Sequence, residues 1–192
     1  MRAVLALLLM LAAACPAAAA PRDWVDAHRE PLLREYLELL AIPNVASNRA
    51  DIRRNADHIV AMMERRGLAP RLLECEDGQV PPLIYGEWRV PGARRTYVLY
   101  AHYDGQPVTP SAWTVTPPFE PLLRMEPHGE TARSLPVGVA PIDEWRIFAR
   151  SASDDKTGVF AVLPAVDALR AEGRRPSFNL KIVFEGEEEA GS

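Results

Sequence analysis

The chain has 192 residues, 48% of them hydrophobic and 25% charged, which suits one globular domain of ordinary size with a real core. Its formal net charge of −4 and the absence of any basic run argue against a nucleic-acid surface, which needs a basic patch.

The chain opens with "MRAVLALLLMLAAACPAAAAP": one early positive charge at Arg2, an apolar stretch over 3–14 and a run of small residues. This is the build of a secretory signal peptide, with cleavage expected near residues 18–20. Residues 1–20 are therefore read as the signal, and the protein is expected to be periplasmic or secreted. The apolar stretch is too short to span a bilayer comfortably, so no membrane span is expected once it is removed. Cys15 follows Leu-Ala-Ala-Ala, which hints at a lipoprotein site, but Ala12 stands where such sites usually carry leucine. Without the signal, Cys75 is the only cysteine. An internal disulfide and a cysteine-built zinc site are both excluded, so any metal must use histidine and carboxylates.

"DWVDAHREPLLREYLELLAIPNV" places Leu32, Leu33, Tyr36, Leu37, Leu39 and Leu40 at helical spacing, with Pro31 suited to a first turn and Pro43 ending the helix. "ADIRRNADHIVAMMERRGLAP" predicts a second amphipathic helix, closed by Gly67 and Pro70. "RLLEC" and "PLIYGEWRV" read as short strands, the latter ending in a turn at "PGARR". "TYVLYAHYDGQP" begins as a near-continuous apolar run, expected of a strand buried on both faces. It ends in His102, Tyr103, Asp104 and Gly105. Proline-rich residues 107–141 read as extended loop, with a strand in "FEPLLRM". "EWRIFAR" is a strand, "SASDDKTGVFAVLPAVDALRAEG" a helix that Pro164 either kinks or shortens, and "PSFNLKIVFEG" a strand with Phe178, Leu180, Ile182 and Phe184 alternating. This last strand, helix and strand predict a crossover unit of a largely parallel sheet.

Three charged clusters fall just beyond strand ends or at a helix start, where functional groups gather in open α/β sheets. His102 and Asp104 end one strand, Asp154 and Asp155 open a helix, and Glu187, Glu188 and Glu189 follow the last strand. Each alone has an ordinary reading: a loop pair, a helix cap, a solvated face. Together they would repel strongly, since two unit charges about 4 Å apart cost roughly 4 kcal/mol at an effective dielectric near 20. A divalent cation removes that problem. One imidazole with carboxylates is a ligand set for zinc, with cobalt or manganese as alternatives.

"YAHYDGQP", "ARSASDDKTGV" and "FEGEEEAGS" resemble, in order, the motifs of the di-zinc metallopeptidase family of carnosine dipeptidases, glutamate carboxypeptidase, aminoacylase, acetylornithine deacetylase and succinyl-diaminopimelate desuccinylase. The similarity runs from about Trp24 onward, and "GQP" with the last motif leans toward the dipeptidase-like branch. The resemblance implies a three-layer α/β catalytic domain with a largely parallel mixed sheet, incomplete at its C-terminus. It implies two Zn2+, with Co2+ or Mn2+ as substitutes. His102 would ligate one zinc, Asp154 would bridge both and Glu189 would bind the second. Asp104 would orient the His102 imidazole, and Glu188 would act as general base. Asp155 and Lys156 follow the bridging residue without being ligands, and Glu185 and Glu187 would be supporting or solvent-facing. The chain departs from the family's frequent Gly-Arg-Gly before the bridging aspartate, carrying "ARS" with Arg150 retained.

The implied function is hydrolysis of a peptide bond in a small peptide, as a dipeptidase or carboxypeptidase. The alternatives are an N-acyl-amino-acid deacylase of the same family and a non-catalytic homologue that keeps the fold. A nucleotide-binding α/β domain is disfavoured by the lack of a glycine-rich phosphate loop. The family also uses a third carboxylate and a final histidine, expected after Ser192. Residues 21–192 are thus read as the N-terminal part of a catalytic domain. The rest of that domain, and a lid domain through which a homodimer would form, are expected further on. The 192 residues alone are expected to be inactive and poorly soluble, with the last strand as an exposed edge.

Overall fold

The computed structural model describes residues 21–76, 78–124 and 144–191. Residues 1–20, on which the signal-peptide and Cys15 readings rest, and residues 125–143 of the proline-rich stretch lie outside them. Among the described residues no helix is long and apolar enough to cross a membrane.

The first helical region is two helices, α1 (Pro21–Ala27) and α2 (Arg29–Leu40), separated at His28. Pro31 accounts for the break: it has no N–H to donate to Ala27, four residues earlier, and its ring crowds that carbonyl. It is tolerated in the first turn of α2, as its position predicts. Helix α3 (Arg49–Arg65) starts where the Asn48 side chain accepts the Asp51 amide, and it buries Ile52, Ala56, Ile59, Met62 and Met63. Gly67 closes it with φ +57°, a left-handed conformation that glycine adopts without strain.

Strands β1 (Arg71–Leu73), β2 (Leu83–Trp88), β3 (Thr96–His102) and β6 (Asn179–Glu185) form one sheet in the order β1-β2-β6-β3. β4 (Leu122–Arg124) and β5 (Arg146–Phe148) pair as a separate antiparallel ribbon. Helix α4 (Lys156–Ala171) runs unbroken through Pro164, so the proline does not shorten it. The α/β class and mixed sheet are as expected. Of the three pairings in the main sheet, β3 with β6 is parallel and the other two are antiparallel.

Two expectations about connectivity change. The crossover unit is β3–α4–β6, not β5–α4–β6, because β5 leaves the sheet to pair with β4. The last strand, β6, is not an edge but lies between β2 and β3, and β3 takes the edge position. The apolar run of β3 is not buried on both faces. Val98 and Tyr100 are 59% and 55% exposed, because they point to the face opposite Ala101 and the core. A continuous apolar run looks the same in sequence whether its strand is central or at an edge.

The core lies on one face of the sheet. Ile84, Leu180, Ile182, Phe184 and Ala101 point into it and meet Leu39 and Leu40 of α2, Ile59 and Met63 of α3 and Val159 and Leu163 of α4. Gly86 makes the close approach of α3 possible, since a Cβ there would collide with the end of Met63. Among the described residues, helices pack on this face alone.

A candidate metal centre at the sheet rim

Because β3 and β6 are parallel neighbours, with His102 opposite Glu185, their carboxyl ends share one rim. His102 is the last residue of β3 and is buried. Three residues past Glu185, Glu188–Ala190 form a single 3-10 turn that turns the acidic run back over the rim. The third cluster arrives from α4, and its two aspartates separate in role. Asp155 is the helix N-cap and accepts the Gly158 amide at 3.0 Å, whereas Asp154 turns outward to His102. The Asp154–Asp155 peptide bond is cis.

The predicted residues meet. His102 Nε2 lies 3.1 Å from Asp154 Oδ1 and 3.8 Å from Glu188 Oε2. His102, Asp154 and Glu189 each offer one donor atom, and the three atoms lie within 4.8 Å of one another. One imidazole nitrogen and two carboxylate oxygens at this spacing could hold a divalent cation of the zinc type. Asp154 and Glu188 are open to solvent, while the imidazole sits at the floor.

Asp104 lies beneath. It is fully buried and stands 3.3 Å from His102 Nδ1, leaving Nε2 to face the acids. It also accepts the amides of Glu188 at 3.2 Å and Glu189 at 3.0 Å. One carboxylate thereby holds both the imidazole and the start of the acidic turn. Burial pushes the Asp104 pKa up, against the Glu189 amide and the charge of His102. For His102, burial opposes the cation, but the Asp154 hydrogen bond and the charges of Asp104, Glu188 and Asp155 outweigh it and raise its pKa. A proton on the imidazole is what such a cluster recruits when no metal neutralises it.

Three nearby residues were given no role from the sequence. Gln106 donates its side-chain amide to Glu189 Oε2. Tyr100 donates to Glu185, which supports the rim from its outer side. Asn44 is fully buried and donates to the Tyr103 carbonyl at 2.8 Å and to Ser151 Oγ at 2.9 Å. Only "GQP" drew attention to Gln106; an asparagine after a helix end has no mark of function.

Residues 98–192 match peptidase family M20/M25/M40. The chain is 26% identical over 178 residues to the Cys-Gly metallodipeptidase dug1 of Schizosaccharomyces pombe, covering 88% of this chain and 34% of that protein. It is 27% identical over 185 residues to the Beta-Ala-His dipeptidase of Homo sapiens, covering 88% and 32%. The solved structure of the di-peptidase Dug1p from Saccharomyces cerevisiae superposes with a TM-score of 0.71 at 20% identity, covering 90% of this chain and 35% of that one. The chain thus spans about a third of the length of the curated relatives it matches. The periplasmic or secreted location expected from the N-terminus is corrected by these relatives: the fungal Dug1 dipeptidases are cytosolic enzymes.

Proposed function

We propose, from the match of residues 98–192 to peptidase family M20/M25/M40, that the whole protein is a metal-dependent dipeptidase. The observation that carries this reading is the gathering of His102, Asp154 and Glu189 donor atoms within 4.8 Å, with Glu188 on the same rim.

In this reading His102, Asp154 and Glu189 would together hold the zinc. Bound zinc supplies Lewis acidity and lowers the pKa of a water at the site. Glu188 is placed to take that proton and to return it to the leaving amine. Its carboxylate faces solvent, one residue from Glu189. Asp104 keeps the His102 ring oriented through Nδ1, so the Nε2 lone pair faces outward. Gln106 holds one oxygen of Glu189. The names of the similar proteins support a dipeptide substrate, such as Cys-Gly or β-Ala-His.

The test is direct. The purified whole protein is expected to hold zinc by elemental analysis and to hydrolyse one of these dipeptides, with an N-acyl amino acid assayed alongside. Glu188→Gln should retain the metal and lose about 10²- to 10⁴-fold in turnover, the range for removal of a general base. Absence of metal from the wild type, or full activity in the variant, would refute the assignment.

A further inference from the structure

Lys156 is an unusual residue to find where it is. Its side chain is fully buried, at the first turn of α4, two positions after Asp154. Its ammonium donates to the carbonyls of Leu39 at 2.8 Å and Ile42 at 2.7 Å. Leu39 belongs to the last turn of α2, whose carbonyls lack partners within the helix and form the negative end of its dipole. An apolar side chain of similar length would fill this space without the desolvation cost of a buried cation. What the lysine adds is a directional link between the end of α2 and the start of α4.

Asn44 makes a second link from the same segment. Its side-chain amide reaches the Tyr103 carbonyl, between His102 and Asp104, and also Ser151, three residues before Asp154. Its own carbonyl accepts the Gly105 amide at 2.9 Å. Gly105 must be glycine for this, because a Cβ there would run into Ser151 Oγ and Asn44. Tyr36 makes a third link, its hydroxyl bonding the Ala152 carbonyl at 3.0 Å and Thr157 Oγ1 at 2.7 Å. Residues 36–45 thus bind the loop that carries His102 and the loop that carries Asp154, which are otherwise joined by the long excursion through β4 and β5.

We propose that residues 36–45 are a brace for the metal centre, with Asn44 and Lys156 as positioning residues that set the separation of His102 from Asp154. The inference rests on the metal-site reading above and adds to it two residues that touch neither metal nor substrate. Removing such supporting contacts typically weakens metal binding 10- to 100-fold.

Asn44 allows a clean test. Its Oδ1 is buried with no partner among the described residues. Asn44→Leu removes both donated hydrogen bonds together with an unpaired acceptor, and it leaves the Tyr103 carbonyl without this donor, so melting of the metal-free protein separates lost stability from the lost link. Co2+ is titrated into the metal-free protein, followed by its visible absorption, for wild type, Asn44→Leu, Lys156→Met and Lys156→Arg. Melting of each metal-free protein is recorded in parallel. The expected result is at least about tenfold weaker Co2+ binding and altered bands in Asn44→Leu and Lys156→Met. Lys156→Arg, which retains donors for both carbonyls, should recover most of the affinity. Wild-type affinity and bands in Asn44→Leu overturn the brace, and if Lys156→Met does not fold, Asn44→Leu decides alone. A wild type that binds no Co2+ removes the metal-site reading itself, a result distinct from normal binding in wild type and variant alike.

Discussion

Asp104 accepts two backbone amides from the acidic turn while its other contact is the His102 ring. Asp104→Ala would leave both amides without their buried partner and free the imidazole to rotate. Metal affinity is expected to fall about 10- to 100-fold, measured by Co2+ titration; a change below about twofold would show that the ring is held by other contacts. Asp154 and Asp155 illustrate how neighbours in sequence divide their work. The cap at Asp155 is bound to the start of α4 and contributes to helix stability, while Asp154 is left for the rim. The ordinary reading of "SDDK" as a helix start holds for Asp155, while Asp154 faces His102 at the rim.

The helices are joined by charge as well as by apolar packing. Arg66, at the end of α3, is nearly buried and pairs with Glu35 of α2 and Asp167 of α4, both at 2.7 Å, tying three helices together. Burial would raise the Glu35 pKa, but hydrogen bonds and charge from Arg66 and Arg65 more than offset this and lower it from its usual 4.5. A depressed carboxylate pKa contributes stability that is present above the unfolded value and lost as pH falls through the folded one. Glu35→Gln should therefore cost about 2 kcal/mol at neutral pH, the scale of hydrogen bonds to charged groups. The gap between variant and wild type should narrow once the pH drops below about 4.5. Chemical unfolding of both proteins at neutral and acid pH measures it, and a gap independent of pH would contradict the account.

At the scale of the whole molecule, an apolar cavity lies away from the metal centre. It has a volume of about 580 Å3 and lies between β3 and α4, lined by Trp88, Tyr97, Leu99, Val166, Leu169 and Leu180 among others. It is apolar and contains none of the rim acids. It belongs to the same feature as the exposed Val98 and Tyr100: a seven-residue edge strand with apolar side chains on both faces. Long apolar edges invite pairing with other chains. The 192-residue chain is expected to self-associate with rising concentration, and Val98→Lys, at the most exposed of these positions, should reduce it. Light scattering across a concentration series reads this out, and equal association in both proteins would argue against the β3 edge as the contact.

Much of the rim was legible because its residues come in short local groups. A histidine and an aspartate two apart, two adjacent aspartates and a run of three glutamates each stand out within a few positions, and helix and strand periodicities are equally local. Thus the helical region before Pro43, α3, α4 and β6 appear where their patterns predict, and electrostatic repulsion alone calls for a cation where such groups converge. The strand order, the parting of β5 from the sheet and the exposure of β3 depend on partners far along the chain. So do Asn44 and Lys156, whose hydrogen bonds span 59 and 117 residues. Sequence by itself determined which side chains could make a metal centre, because that chemistry is written in residue type and short spacing. Only the tertiary structure decided which loops hold them at bonding distance, because a buried hydrogen bond between distant segments leaves no periodic trace.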